Sequence, residues 1–195
     1  MTISYHETQA DAENNIYAII GEYNNINPYT QTLFVRIESS TVATDCATFL
    51  DVQLLVNDVP QINTEPSSLE VCDDDTDGLG LFDLSLSNEE VLNGLDSSEF
   101  TITYYETPEN AENAENPIIT PFAYTNVTAF NQTVWVRVEN STTLCYNTSS
   151  IELTVNELPV LTQPDPLNLC DYNNPGDEVE EFTLEDSIGQ VLQGQ

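Results

Sequence analysis

The chain has 195 residues, 39% of them hydrophobic, enough apolar material for ordinary cores in one or two domains of about 100 residues each. Its 34 acidic residues face only two cations, Arg36 and Arg137, and no lysine. That balance excludes nucleic acid as a partner, because nothing neutralises phosphates, and excludes Schiff-base or lysine-isopeptide chemistry. No run approaches the roughly 20 apolar residues of a membrane-spanning helix, and no leader pattern is visible, so membrane insertion is not expected.

From the start of the chain, TISYHET (2–8) alternates Ile3 and Tyr5 against Ser4 and His6, the period-two pattern of a half-buried strand. The same words return later. TISYHET reappears as TITYYET (101–107), and QTLFVRIE (31–38) as QTVWVRVE (132–139). Cys46 is matched by Cys145, Val56-Asn57 by Val155-Asn156, Cys72 by Cys170, and Val91-Leu92 by Val191-Leu192. The chain is a tandem array with a period of about 99 residues.

A complete repeat occupies 61–159, the closing part of one repeat occupies 1–60, and the opening part of another occupies 160–195. Within the complete repeat, strands are expected at 69–72, 81–85, 100–107, 117–123, 133–140 and 149–156, with one helical turn or a wide loop at 88–94 and a short helical excursion at 108–116. Many short strands separated by Pro, Gly and Asn predict an all-β fold of tandem immunoglobulin-like β-sandwich repeats. Neither partial repeat holds a whole core, so pairing with neighbouring repeats, or with copies of the chain arranged head to tail, is expected.

Candidate chemistry rests on acidic loops, lone cations and aromatics. Asp73, Asp75, Asp77 and Gly78 form DxDxDG, the spacing at which a tight loop turns carboxylates onto one Ca2+ ion. The twelfth position, where a complete loop places a bidentate glutamate, is Leu84; Asp74 and Asp83 are candidates to complete the shell. Asp171, Asn173 and Asp177 form a second, weaker site interrupted by Pro175. The lone arginines are expected in cross-strand ion pairs, Arg36 with Glu7 and Arg137 with Glu106. His6 aligns with Tyr105 and stands outside the repeated pattern. With no GxSxG, HExxH or phosphate-binding glycine loop, no enzymatic activity is expected. Tyr5, Phe34, Tyr104, Tyr105 and Trp135 are candidates for a sugar-stacking surface, with core packing as the alternative.

Cys46, Cys72, Cys145 and Cys170 lack zinc-ligand spacing and suit disulfides in an oxidising compartment. The expected bridge within the complete repeat is Cys72 to Cys145. It assumes that the first strand begins at the end of the sandwich where the hairpin before the last strand turns. Cys170 would then join Cys46 of a following copy.

The set LEVCDDDTDGLGLFDL (69–84), FTITYYETPENAENAENPI (100–118), QTVWVRVENSTTLCYNT (132–148) and IELTVNELP (151–159) resembles the roughly 100-residue repeats of large flavobacterial surface proteins. Those proteins leave the cell by type IX secretion and include gliding-motility adhesins. The resemblance implies an extracellular, non-enzymatic spacer or adhesive module at the cell surface. Asp186-Ser187-Ile188 resembles that phylum's O-glycosylation acceptor. The alternative reading is a carbohydrate-binding accessory module of a secreted hydrolase, with a surface glycan or polysaccharide as partner.

Overall fold

The structure is a computed structural model, and it describes residues 1–39 and 46–192. Residues 40–45 of the first segment and 193–195 of the third lie outside it. The first segment contains β1 (Thr2–His6), α1 (Gln9–Asn14), β2 (Thr30–Glu38) and β3 (Ala47–Leu55). The complete repeat continues with β4 (Leu69–Cys72), β5 (Leu81–Phe82), a 3-10 turn at Leu84–Ser87, α2 (Asn88–Leu92), β6 (Phe100–Tyr105) and α3 (Pro108–Asn113). It closes with a second 3-10 turn at Pro121–Ala123, then β7 (Tyr124–Thr125), β8 (Asn131–Asn140) and β9 (Tyr146–Asn156). The third segment holds a 3-10 turn at Leu184–Ser187 and α4 (Ile188–Leu192).

The chain is thus built of β-sheets with a few short helices. Among the described residues three sheets form: β1-β2-β3, β4-β9-β8-β6 and β5-β7. The central order β6, β8, β9 repeats the order β1, β2, β3, as the sequence period requires. β1-β2 and β2-β3 are antiparallel. β4 instead runs parallel to β9, with Leu69 opposite Leu153 and Cys72 opposite Asn156. The chain divides into two compact units, one of Met1–Ile62, Leu95–Ile102 and Val138–Asn147, the other of Asn63–Gly94, Thr103–Arg137 and Thr148–Gln195.

Strand alternation builds the core. On β8, Val134, Val136 and Val138 are wholly buried, and on β9 Ile151, Leu153 and Val155 are buried. Phe82, Leu84, Val91 and Tyr104 complete that core from the opening half of the repeat. Each β-strand that begins a TxTYYET-like word leads into one helical turn, capped in the same way both times. Thr8 Oγ1 accepts from Asp11 N at 3.1 Å, and Thr107 Oγ1 accepts from Asn110 N at 3.2 Å. Each helix ends on a left-handed residue, Asn15 (φ 52°) and Ala114 (φ 55°). The strand expected at 117–123 is shorter and later, because Pro121 opens a 3-10 turn before Tyr124 pairs.

The partial repeats keep their local structure with less burial: Leu33 and Val35 of the first segment are buried, but other core positions are not. Val52 is 36% exposed where its counterpart Ile151 is 0%, and Val56 is 52% exposed where Val155 is 4%. In the third segment Leu184 is 69% exposed where Leu84 is 0%. The Leu184–Ser187 turn and α4 still form, and Thr162 N donates to Val191 O at 3.1 Å just as Asn63 N donates to Val91 O at 2.9 Å. Residues 167–170, the counterpart of β4, form no strand; in the complete repeat that strand exists by pairing with β9.

Candidate functional site

The acidic loop after β4 is organised from within. Asp73 is 1% exposed and accepts the amide of Thr76 at 2.8 Å on Oδ1 and that of Gly78 at 2.9 Å on Oδ2. Asp77 Oδ1 accepts Leu79 N at 2.7 Å. Gly78 has φ of +75°, and a Cβ there would lie 2.9 Å from Ala129 Cβ, so glycine is required for both conformation and space. One oxygen from each of Asp73, Asp75 and Asp77 lies within 4.8 Å of the others, a spacing that fits a hard cation bound by oxygen. The side-chain hydrogen bond with Asp77, which favours the protonated form, holds the Asp75 carboxyl above its ordinary value, and desolvation and the nearby charges of Asp77 and Asp74 add to it. Leu84, at the twelfth position, is fully buried in the core. Asp83 is occupied elsewhere, its Oδ1 accepting Ser85 N at 3.0 Å and capping the 3-10 turn. A cleft of about 440 Å³ beside the loop is lined by Val71, Cys72, Asp74, Asp75, Leu79 and Leu81.

The second loop is arranged differently. Asp171 Oδ2 accepts Gly176 N at 2.5 Å, Asn173 donates its side-chain amide to Glu180 at 2.5 Å, and Asp177 accepts from Asn174 at 2.7 Å and from Val179 N at 3.0 Å. Those donors hold the Asp177 carboxyl below the usual range.

The residue that clamps the first loop, Asn126, escapes sequence reasoning. It is 2% exposed; its amide donates to Gly78 O at 3.0 Å and Thr128 O at 2.8 Å, while its Oδ1 accepts Gly80 N at 2.7 Å. The signal that could have found it is Asn25, its counterpart, which donates to Asn27 O at 2.8 Å in the same way.

The arginines do not make the expected pairs. Arg36 binds Glu38, two residues along its own strand, with Nε 2.6 Å from Oε1. Its Nη1 also donates to Ala12 O at 3.0 Å and Glu13 O at 3.2 Å. Arg137 Nη1 donates to Ala111 O and Glu112 O, each at 3.0 Å. Both guanidinium groups therefore close the C-terminal end of a helical turn, where carbonyls lack intrahelical partners and the dipole is negative. The carboxylates expected to pair with them belong to tyrosines instead: Tyr23 OH donates to Glu7 at 3.1 Å and Tyr124 OH to Glu106 at 3.2 Å. Those tyrosines are fixed from behind by Gln31 and Gln132, whose amides donate to the phenol oxygens at 2.5 and 2.7 Å.

His6 is fully buried, donating through Nδ1 to Ile16 O at 2.8 Å and accepting Ser4 Oγ on Nε2 at 2.9 Å. Tyr104 and Tyr105 are buried, and Phe34 and Trp135 half-buried, so these aromatics form no exposed platform with Tyr5. Ser187 donates to Leu184 O at 2.7 Å, the bond made by Ser87, which is buried in the complete repeat.

The cysteines occupy opposite ends of a long strand. Cys145 immediately precedes β9, and its Sγ donates to Asn57 O at 3.9 Å; nearby, Asn147 donates to Pro60 O at 3.1 Å. Cys72 lies opposite Asn156, the last residue of β9, and the following amide, Asp73 N, donates to Asn156 O at 2.8 Å. Eleven residues of strand at about 3.3 Å each span roughly 36 Å, whereas bridged Cα atoms lie within about 7 Å. The expected Cys72–Cys145 bridge is therefore incompatible with the fold. Its premise fails because β4 pairs in parallel with the far half of β9.

The profile of the Flavobacterium inter-domain disulphide bond domain matches residues 1–60 and 68–159. The chain belongs to this family. It has no match among curated proteins.

Proposed function

We propose that this member of the Flavobacterium inter-domain disulphide bond family is a non-enzymatic repeat module of an extracellular cell-surface adhesin or filament, exported by type IX secretion. It serves there as a structural spacer and adhesive surface. The observation that carries the reading is the contact of Cys145, in the complete repeat, with Asn57, the last strand's exit from the preceding repeat. A cysteine held at a repeat junction serves as a covalent staple, and staples of this kind persist in oxidising, extracytoplasmic settings. Each repeat is read as an immunoglobulin-like sandwich: β6, β8 and β9 take the places of strands C, F and G in one sheet, β5 and β7 those of B and E in the other, and β4 that of an A strand beside G. An excess of carboxylates keeps such an array soluble and its repeats mutually repelling.

The carbohydrate-binding alternative is disfavoured by the burial of Tyr104 and Tyr105. A glycan-array screen of the chain separates the two readings. Spacer function gives no specific glycan signal; a signal removed by Trp135→Ala supports the glycan module instead.

Calcium is proposed to rigidify the first acidic loop, held by Asp73, Asp75 and Asp77, at the roughly 10⁻⁴ to 10⁻³ M affinity of extracellular modules. Asp171, Asn173 and Asp177 are a weaker candidate, since Asn173 is turned toward Glu180. Isothermal titration with Ca2+ is expected to show heat that Asp75→Ala removes. Affinity should fall as pH drops through the raised pKa of Asp75, because the ion binds only the ionised carboxylate. Heat unchanged by Asp75→Ala would place the ion elsewhere.

A further inference from the structure

We infer that the inter-domain disulfide joins the cysteine at the end of β4 in one repeat to the cysteine that precedes the last strand of the next repeat. This rests on the stapled-array reading and assigns its connectivity. Two observations, made at different places in the chain, meet at one residue position. Cys145 Sγ lies 3.9 Å from the carbonyl of Asn57, the residue two beyond the end of β3. Asn57 and Asn156 are the same position of successive repeats, each following Val in VN at the end of the last strand.

In the complete repeat that position has a ladder neighbour, and the neighbour is Cys72. Adjacent strands lie about 4.8 Å apart. A repeat preceding this one in phase would therefore place its β4 cysteine beside Asn57, within reach of Cys145. The next repeat would likewise bring its own Cys145 counterpart to Asn156, beside Cys72.

The thiols are accessible where this requires it: Cys46, Cys72 and Cys170 are exposed, and Cys145 is half-buried at its junction. Cys46 precedes β3 as Cys145 precedes β9, and Cys170 is the counterpart of Cys72. None of the four cysteines then pairs with another of the same chain; each reaches into a neighbouring repeat. The pairing of Cys170 with Cys46 of a following copy, expected from the sequence, is replaced by Cys72 with that Cys46. Each staple forms by exchange with a low-molecular-weight disulfide: two protein thiols give up two protons and two electrons, a sulfur–sulfur bond forms, and the reagent leaves as two thiols.

Two chains joined end to end in one polypeptide, with a short linker keeping the period, supply both partners of two of the assigned links. The doubled chain is refolded in reduced and oxidised glutathione and mapped by mass spectrometry without reduction. The expected linked peptides join Cys72 of the first copy to Cys46 of the second, and Cys170 of the first to Cys145 of the second. Cys46→Ser in the second copy alone should abolish the first link and spare the other. Recovery of Cys145 linked to Cys170 overturns this connectivity while leaving an inter-domain staple standing. Recovery of Cys72 linked to Cys145 of the same copy, or of four reduced thiols in each copy, overturns both the connectivity and the stapled-array reading.

Discussion

Replacing Arg137 by alanine is expected to lower the stability of the complete repeat by about 3 kcal/mol, since a buried carbonyl left without its donor costs about 1 to 3 kcal/mol. Arg137 is only 7% exposed, and its Nη1 donates to the carbonyls of Ala111 and Glu112 at 3.0 Å. Removal leaves the C-terminal end of α3 without that donor, and wholly buried Ala111 leaves no space beside the sheet for the helix to move and recruit another. Arg137→Lys should recover part of the loss, as an ammonium supplies the charge without the planar fork. Arg36→Ala should cost less, because the first segment already exposes Leu50, Val52 and Val56 and carries less of a core to lose. Urea midpoints of the three variants measure these differences. A change below about 0.5 kcal/mol for Arg137→Ala would mean that the arginine is a surface charge with no structural task.

Much of this architecture is legible in the chain because alternation and repetition report on faces and phases. The alternation of TVWVRV puts its valines on one face, and Val134, Val136 and Val138 are wholly buried on it. The words TISYHET and TITYYET announce two equivalent strands, and each leads into the same threonine-capped helical turn. What alternation does not report is a strand's neighbour or direction. LEVC reads the same whether it runs parallel or antiparallel to its partner, and the parallel pairing with β9 is what moves Cys72 to the opposite end from Cys145. The arginine partners are hidden for a related reason. Cross-strand pairing suggests carboxylates, but a six-residue helix leaves unpartnered carbonyls facing the strand, and a buried guanidinium finds those first. Asn126 is hidden because a lone asparagine in a loop carries no pattern of its own; only its recurrence as Asn25 marks it.

The covalent path through an array of these repeats is the most direct test of a stapled spacer, and stretching single molecules measures it. Copies of the complete repeat, 61–159, are joined in phase and pulled from their ends with the cysteines reduced or oxidised. Reduced, each copy should release about 99 residues, roughly 350 Å of contour at the 3.3 to 3.6 Å per residue of an extended chain. Oxidised with each β4 cysteine tied to the next copy, the staples overlap, and only the segment between the Cys145 and Cys170 positions of every second copy stays in the load path. That segment is about 25 residues, roughly 90 Å for two copies together. Bridges within each copy would leave about 90 Å for every copy, and bridges between the Cys145 and Cys170 positions about 260 Å. The stapled spacer therefore predicts an oxidised array that extends by roughly 45 Å per copy, and oxidised molecules that lengthen as far as reduced ones would contradict it.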